Sequence, residues 1–169
     1  MLFRSGQFLE QVTHTVDLAR YFCGEAVEVQ AYAATGFNKG VPENYDIEDA
    51  AVVNIRFRSG GVANLWASAS SNGGGAGVTL NVYAGSTTAL FTGWEHTLRL
   101  MHADEDTIEI RGEPDIFNLE DKAFIEAVRT GNRSLIQCDY PDAVKTLEIS
   151  VAANRSMETG RPVAVEGVR

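Results

Sequence analysis

The sequence predicts an α+β fold, a mainly antiparallel open β-sheet with helices packed on one face and the other face available for oligomerisation. Helical periodicity occupies both ends of the chain, and between about residues 26 and 112 β-branched residues alternate with polar or small ones. Glycines punctuate that middle stretch at tight turns. A chain of 169 residues with 44% hydrophobic and 22% charged residues suits a single globular domain.

The first element is predicted over residues 7 to 23. Phe8, Val12, Val16, Ala19, Phe22 and Cys23 share one stripe, while Glu10, His14, Asp17 and Tyr21 share the opposite face. Gly24 stops it. Val27, Val29 and Ala31 begin the sheet, and a polar loop from Gly36 to Asp49 follows, holding Pro42 and Asn44. Val53, Ile55 and Phe57 run into Arg58-Ser59-Gly60-Gly61, a hairpin signal, and Val62, Asn64, Trp66 and Ser68 return. Further strands fit residues 77–84, 87–92, 96–102 and 106–111. Asn118 and Asp121 read as the capped start of a helix that buries Ala123, Phe124, Ala127 and Val128 and ends at Gly131. Pro141 opens a last helix carried by Val144, Leu147, Val151 and Asn154 to Gly160, and residues 162–165 add a short strand. Trp66, Leu65 and Val62 are expected on the open sheet face, where a second copy or another domain covers them.

Composition excludes several classes. A net charge of −9 without a Lys/Arg cluster is repelled by nucleic acid and by anionic lipid. No run approaches the roughly 18 apolar residues of a membrane helix. Met-Leu-Phe-Arg-Ser-Gly has no apolar leader pattern, so a cytoplasmic location is expected. Cys23 and Cys138 fit no metal spacing and read as two buried thiols.

Chemistry concentrates on Glu10, His14 and Asp17, which spacings of four and three place on neighbouring turns. Carboxylates beside a histidine stabilise its charged form and orient its ring for proton transfer with a hydroxyl. The same spacing also describes a solvated helix face of polar pairs. Gly73-Gly74-Gly75-Ala76-Gly77 resembles a phosphate loop in composition but leads into a strand pattern, so it reads as a connection. His96 and His102 fall on the same face of one predicted strand. They enter only a minor reading, a metal-dependent lyase using Glu10, His14 and one of them.

Gly6-x3-Glu10-x3-His14-x2-Asp17 followed by Gly24-Glu25-x-Val27 resembles the start of the C-terminal domain in the Gfo/Idh/MocA oxidoreductases. The resemblance continues through Asp46-Ile47-Glu48-Asp49-Ala50-Ala51 and Phe57-Arg58-Ser59-Gly60. It closes on the stretches Ala123 to Gly131 and Ala152 to Gly160. It implies that His14 handles the substrate hydroxyl proton, that Glu10 stands where aspartate is more usual and orients substrate, and that Asp17 binds substrate or supports the helix. It further implies a sugar, cyclitol or related hydroxy substrate, and NAD or NADP in the intact parent.

These oxidoreductases open with a Rossmann domain, whose glycine-rich turn and catalytic lysine do not occur here. Residues 1–169 are therefore expected to be the C-terminal substrate-binding and oligomerising domain of a longer enzyme, inactive alone and holding no dinucleotide or metal. A free-standing ligand-binding or dimerisation module is the rival expectation.

Overall fold

The structure, a computed structural model, describes residues 6–38, 45, 47–71 and 77–165. Its elements are α1 (Gly6–Glu10), α2 (Thr13–Cys23), β1 (Ala26–Ala34), β2 (Ala50–Phe57), β3 (Val62–Ser68), β4 (Thr79–Ala84), β5 (Thr87–Thr92), β6 (Thr97–His102), β7 (Ile108–Ile110), α3 (Ile116–Thr130), α4 (Tyr140–Thr159) and β8 (Val163–Ala164). The predicted α+β class holds, with the strands divided into two antiparallel four-stranded sheets. The chain forms two compact units, Met1–Asn72 with Tyr140–Arg169, and Gly73–Asp139. Among the described residues no helix is long and apolar enough to cross a membrane.

In the first unit the strand order is β3-β2-β1-β8. Alternation along β2 sends Ala51, Val53, Ile55 and Phe57 to one face, where Val29, Ala31 and Leu65 join them. Phe8 of α1, Val16 and Ala19 of α2, and Ile149, Ala152 and Ala153 of α4 close the core over that face. The opposite face carries cross-strand rungs in register. Tyr32, Val52 and Trp66 form one, and Gln30, Asn54 and Asn64 the next. Trp66 and Val62 are exposed there as expected. Leu65 is not. As the neighbour of Trp66 in a period-two strand it must point the other way, and it is buried.

The helical ends depart from the apolar periodicity. On α4 the buried residues are Thr146, Ile149, Ser150, Ala152, Ala153 and Ser156, while Leu147 and Val151 face outward. Small side chains let α4 approach the sheet, and Ser156 Oγ accepts the Ala31 N–H and donates to the Arg161 carbonyl, so its burial leaves nothing unpaired. Phe22 is exposed as well, in the last turn of α2.

The second unit places β4-β5-β6-β7 in a meander. Its helix α3 starts at Ile116, ahead of the predicted cap, because Asn118 lies inside the first turn and donates from Nδ2 to Asp115. Of the four residues expected to be buried on α3 only Ala127 is. Phe124 is 60% and Val128 69% exposed.

Candidate functional site

The helix predicted as one piece over residues 7–23 is two. Gln11 N–H donates to the Gln7 carbonyl at 2.9 Å, and Val12 N–H reaches the same oxygen at 3.0 Å. The second bond spans five residues, a local π-type widening. Val12 keeps helical angles (φ −84, ψ −8), and its carbonyl accepts from both Thr15 and Val16. Residues 12–16 read Val-Thr-His-Thr-Val, so four of five are β-branched and crowd the preceding turn of a regular helix. Such bulges recur at functional sites. Glu10 and His14 stand on either side of this one, both exposed. Phe8 and Val16, fully buried, pin the two segments to the core beneath them.

Asp17 turns toward α4. Its Oδ1 accepts the Thr146 hydroxyl at 2.6 Å and lies 3.5 Å from Arg20 Nη1. Arg20, 8% exposed, is the centre of this cluster. Its Nη2 donates to Asp142 Oδ1 at 2.6 Å, and Nη1 donates to Asp142 Oδ2 at 3.3 Å, the Asp142 carbonyl at 3.2 Å and Thr146 Oγ1 at 2.9 Å. Glu25 stands 3.6 Å from Nη2 and accepts from Lys145 at 3.0 Å. The hydrogen bond to Asp142 raises the Arg20 pKa against the opposing effect of burial, helped by the charges of Asp142, Glu25 and Asp17. The Lys145 bond lowers the Glu25 pKa, again against burial and with help from Arg20. This network fixes α2, and so His14, against α4.

A second anchor holds the other segment. Glu48 Oε1 accepts the Gln7 N–H at 2.7 Å, at the start of α1. The adjoining Asp49 is buried and accepts the Phe37 N–H at 2.7 Å, the Asn38 N–H at 3.4 Å and the Asn38 side-chain amide. Burial pushes its carboxyl up, and the N–H donors of Phe37, Asn38 and Gly36 outweigh that and hold it below the usual aspartate value.

The remaining sequence candidates lie elsewhere. His96 is in the turn before β6, with φ +55 and Nδ1 against the Trp94 carbonyl at 2.8 Å, so it does not share a strand face with His102. His102 Nδ1 meets Thr87 Oγ1 at 3.0 Å. Cys23 is half-buried, but Cys138 is exposed, because it follows a short 3-10 turn in an irregular segment. Residues 73–76 of the glycine run, with Pro42, Asn44 and Asp46, lie outside the described residues. A cavity of about 290 Å³ in the second unit is lined by Trp94, Glu95, Thr97, Arg111 and Phe117, with none of the candidate residues on its wall. On α1 and α2, by contrast, titratable groups stand at a helix irregularity on a buried support.

The GFO/IDH/MocA C-terminal domain family matches residues 2–90. An scyllo-inositol 2-dehydrogenase (NAD(+)) from Bacillus subtilis (strain 168) is 29% identical over 173 residues, covering 95% of this chain and 48% of its own. Among solved structures, levoglucosan dehydrogenase in complex with NADH has a TM-score of 0.80 at 19% identity, over 94% of this chain and 50% of that one. An oxidoreductase domain protein from Kribbella flavida has a TM-score of 0.77 at 18% identity, over 93% and 49%. The structural likenesses establish the fold, and this chain spans about half the length of these relatives.

Proposed function

This chain belongs to the GFO/IDH/MocA C-terminal domain family, and from that premise we propose that residues 1–169 are the substrate-binding and oligomerising domain of a polyol or sugar dehydrogenase. The observation that carries the reading is the pair Glu10 and His14, exposed on two sides of a helical bulge and each held from beneath. His14 takes the proton of the substrate hydroxyl as the carbon is oxidised and returns it in the reverse direction. Glu10 accepts a hydrogen bond from a neighbouring hydroxyl and orients the ring. Asp17 supports the helix through Thr146 and Arg20.

Oxidation also needs a hydride acceptor, NAD or NADP. Every strand pairing among the described residues is antiparallel, unlike the parallel βαβ unit that cradles a dinucleotide pyrophosphate. We therefore assign the cofactor to a Rossmann domain outside these residues. Oligomerisation uses the outer face of the β3-β2-β1-β8 sheet, where the Tyr32–Val52–Trp66 rung is solvent-exposed. Two cysteines outside any disulfide suit the reducing cytoplasm.

The test uses the polyol named by the curated relative. scyllo-Inositol added to the chain is expected to shift the amide resonances of residues 7–17, and His14→Ala to abolish the shifts with its unfolding midpoint unchanged. With NAD+ present, no NADH should form. NADH formation by the 169-residue chain, or polyol shifts confined to the second unit, refutes the reading.

A further inference from the structure

We infer that Glu48 is a positioning residue for Glu10, acting through the start of α1; the inference rests on the polyol-binding reading above. Because the helix is interrupted at Gln11–Val12, Glu10 does not share a rigid rod with His14. Its own segment, α1, has five residues, too few to hold a helical turn unaided. Phe8 pins that segment from below. The leading end is held by Glu48, whose Oε1 accepts the Gln7 N–H at 2.7 Å, one of the donors that a first turn leaves unpaired. The carboxylate's charge also suits the positive end of the helical backbone.

The fit around that carboxylate is close. A Cβ built on Gly6 would lie 2.5 Å from Glu48 Oε2 and 2.7 Å from Oε1, and Gly6 has φ +69. Glycine at this position therefore makes room for the carboxylate and tolerates the backbone angle. Glu48 is in turn held by its neighbour. Asp49 donates its N–H to the Ala34 carbonyl at 2.9 Å, and its carbonyl accepts the Ala69 N–H at 2.8 Å, which ties the segment to the ends of β1 and β3. A rigid path thus runs from the sheet through Asp49 and Glu48 to Gln7, and Glu10 is three residues further on. The loop before β2 sets the place of the substrate-orienting carboxylate, while the Arg20 cluster sets that of the histidine.

Amide hydrogen exchange on the full 169-residue chain tests this, together with scyllo-inositol titrations. Glu48→Ala is expected to speed exchange at Gln11 and Val12 about fivefold, the effect of losing one helix cap, and to weaken polyol binding by about the same factor. Exchange at Gly24, at the far end of α2, should not change. Glu48→Gln keeps an acceptor oxygen and should recover most of both losses, whereas Gly6→Ala, which leaves every charge in place, should reproduce them. Adding Glu48→Ala to Glu10→Ala should weaken binding no further than Glu10→Ala alone, since one acts through the other. Unchanged exchange at Gln11 and Val12, equal acceleration at Gly24, or additive losses in the double variant each overturn the proposal. If the unmodified chain binds no scyllo-inositol, the polyol-binding reading fails, and the exchange rates at Gln11 and Val12 still decide whether Glu48 anchors α1.

Discussion

Asp142→Ala should destabilise the first unit by about 2 kcal/mol. Removing one member of a buried ion pair costs about 3–5 kcal/mol, because the other charge is left in a poorly solvated place. Arg20 is such a charge, with two side-chain bonds to Asp142 of 2.6 and 3.3 Å. Two features reduce the figure. The Asp142 side chain is 43% exposed, so water screens the pair. Arg20 also keeps Thr146 Oγ1 at 2.9 Å and the charges of Asp17 and Glu25 at 3.5 and 3.6 Å. Half the usual range, about 2 kcal/mol, is what remains. With a urea m-value of about 1–3 kcal/mol/M, the midpoint followed by far-UV circular dichroism should fall by about 1 M. Glu126→Ala is the control. It breaks the bidentate Arg129 pair on the exposed side of α3, and no measurable shift is expected. A midpoint change in Asp142→Ala no larger than in this control would refute the reasoning. Replacing both partners, Arg20→Met with Asp142→Leu, should recover part of the loss, since no buried charge is then stranded.

Acid should loosen the same region. The folded pKa of Glu25 lies below its ordinary value of 4.5, so its contribution is fully present above that pH and is lost as pH falls through the folded value. Unfolding midpoints measured in steps below pH 4.5 should decline, and less steeply in Glu25→Gln. Asp49 adds to the decline below its ordinary value of 3.8 by the same sign, so Asp49→Asn should flatten the most acidic part of the curve. Trp66→Lys puts a charge in the exposed apolar rung of the first sheet. It should lower the sedimentation mass toward that of one chain and leave the unfolding midpoint of the dilute protein unchanged, and an unaltered mass would remove that face from the assembly.

The sheet was legible because its signal is binary. Val53, Ile55 and Phe57 alternate with residues that face water, and burial follows that alternation along the whole of β2. The stops at Gly24 and Gly131 were legible for a different reason: both end their helices at positive φ, where a side chain would be strained. Helix faces were harder. On α4 the largest apolar residues face outward while Thr146, Ser150 and Ser156 are buried. Apolar periodicity assumes that burial follows side-chain size, and it fails where close backbone approach decides the packing and the Thr146 and Ser156 hydroxyls are hydrogen-bonded there.

The candidate site divides along the same line. Spacing in the sequence placed Glu10, His14 and Asp17 on one helix, and a regular helix would have kept them on one face. The run Val12-Thr13-His14-Thr15-Val16 carried the contrary signal, since β-branched residues on successive positions weaken a regular helix. What spacing could not carry is the direction of Asp17, because its partner Thr146 lies on α4, more than a hundred residues away in the chain, and Asp142 of that helix also holds Arg20. Arg20 was invisible for the same reason. A basic residue beside Ala19 near the edge of an apolar stripe is ordinary on a surface helix, and only the arrival of Asp142 makes it a buried cation. Sequence therefore reports which groups can do chemistry, and the tertiary partners report which of them hold the fold together. His14 and Glu10 are exposed and Asp17 bonds to Thr146 and Arg20, so under the proposed function the first two address a substrate and the third holds the helix on which the histidine stands.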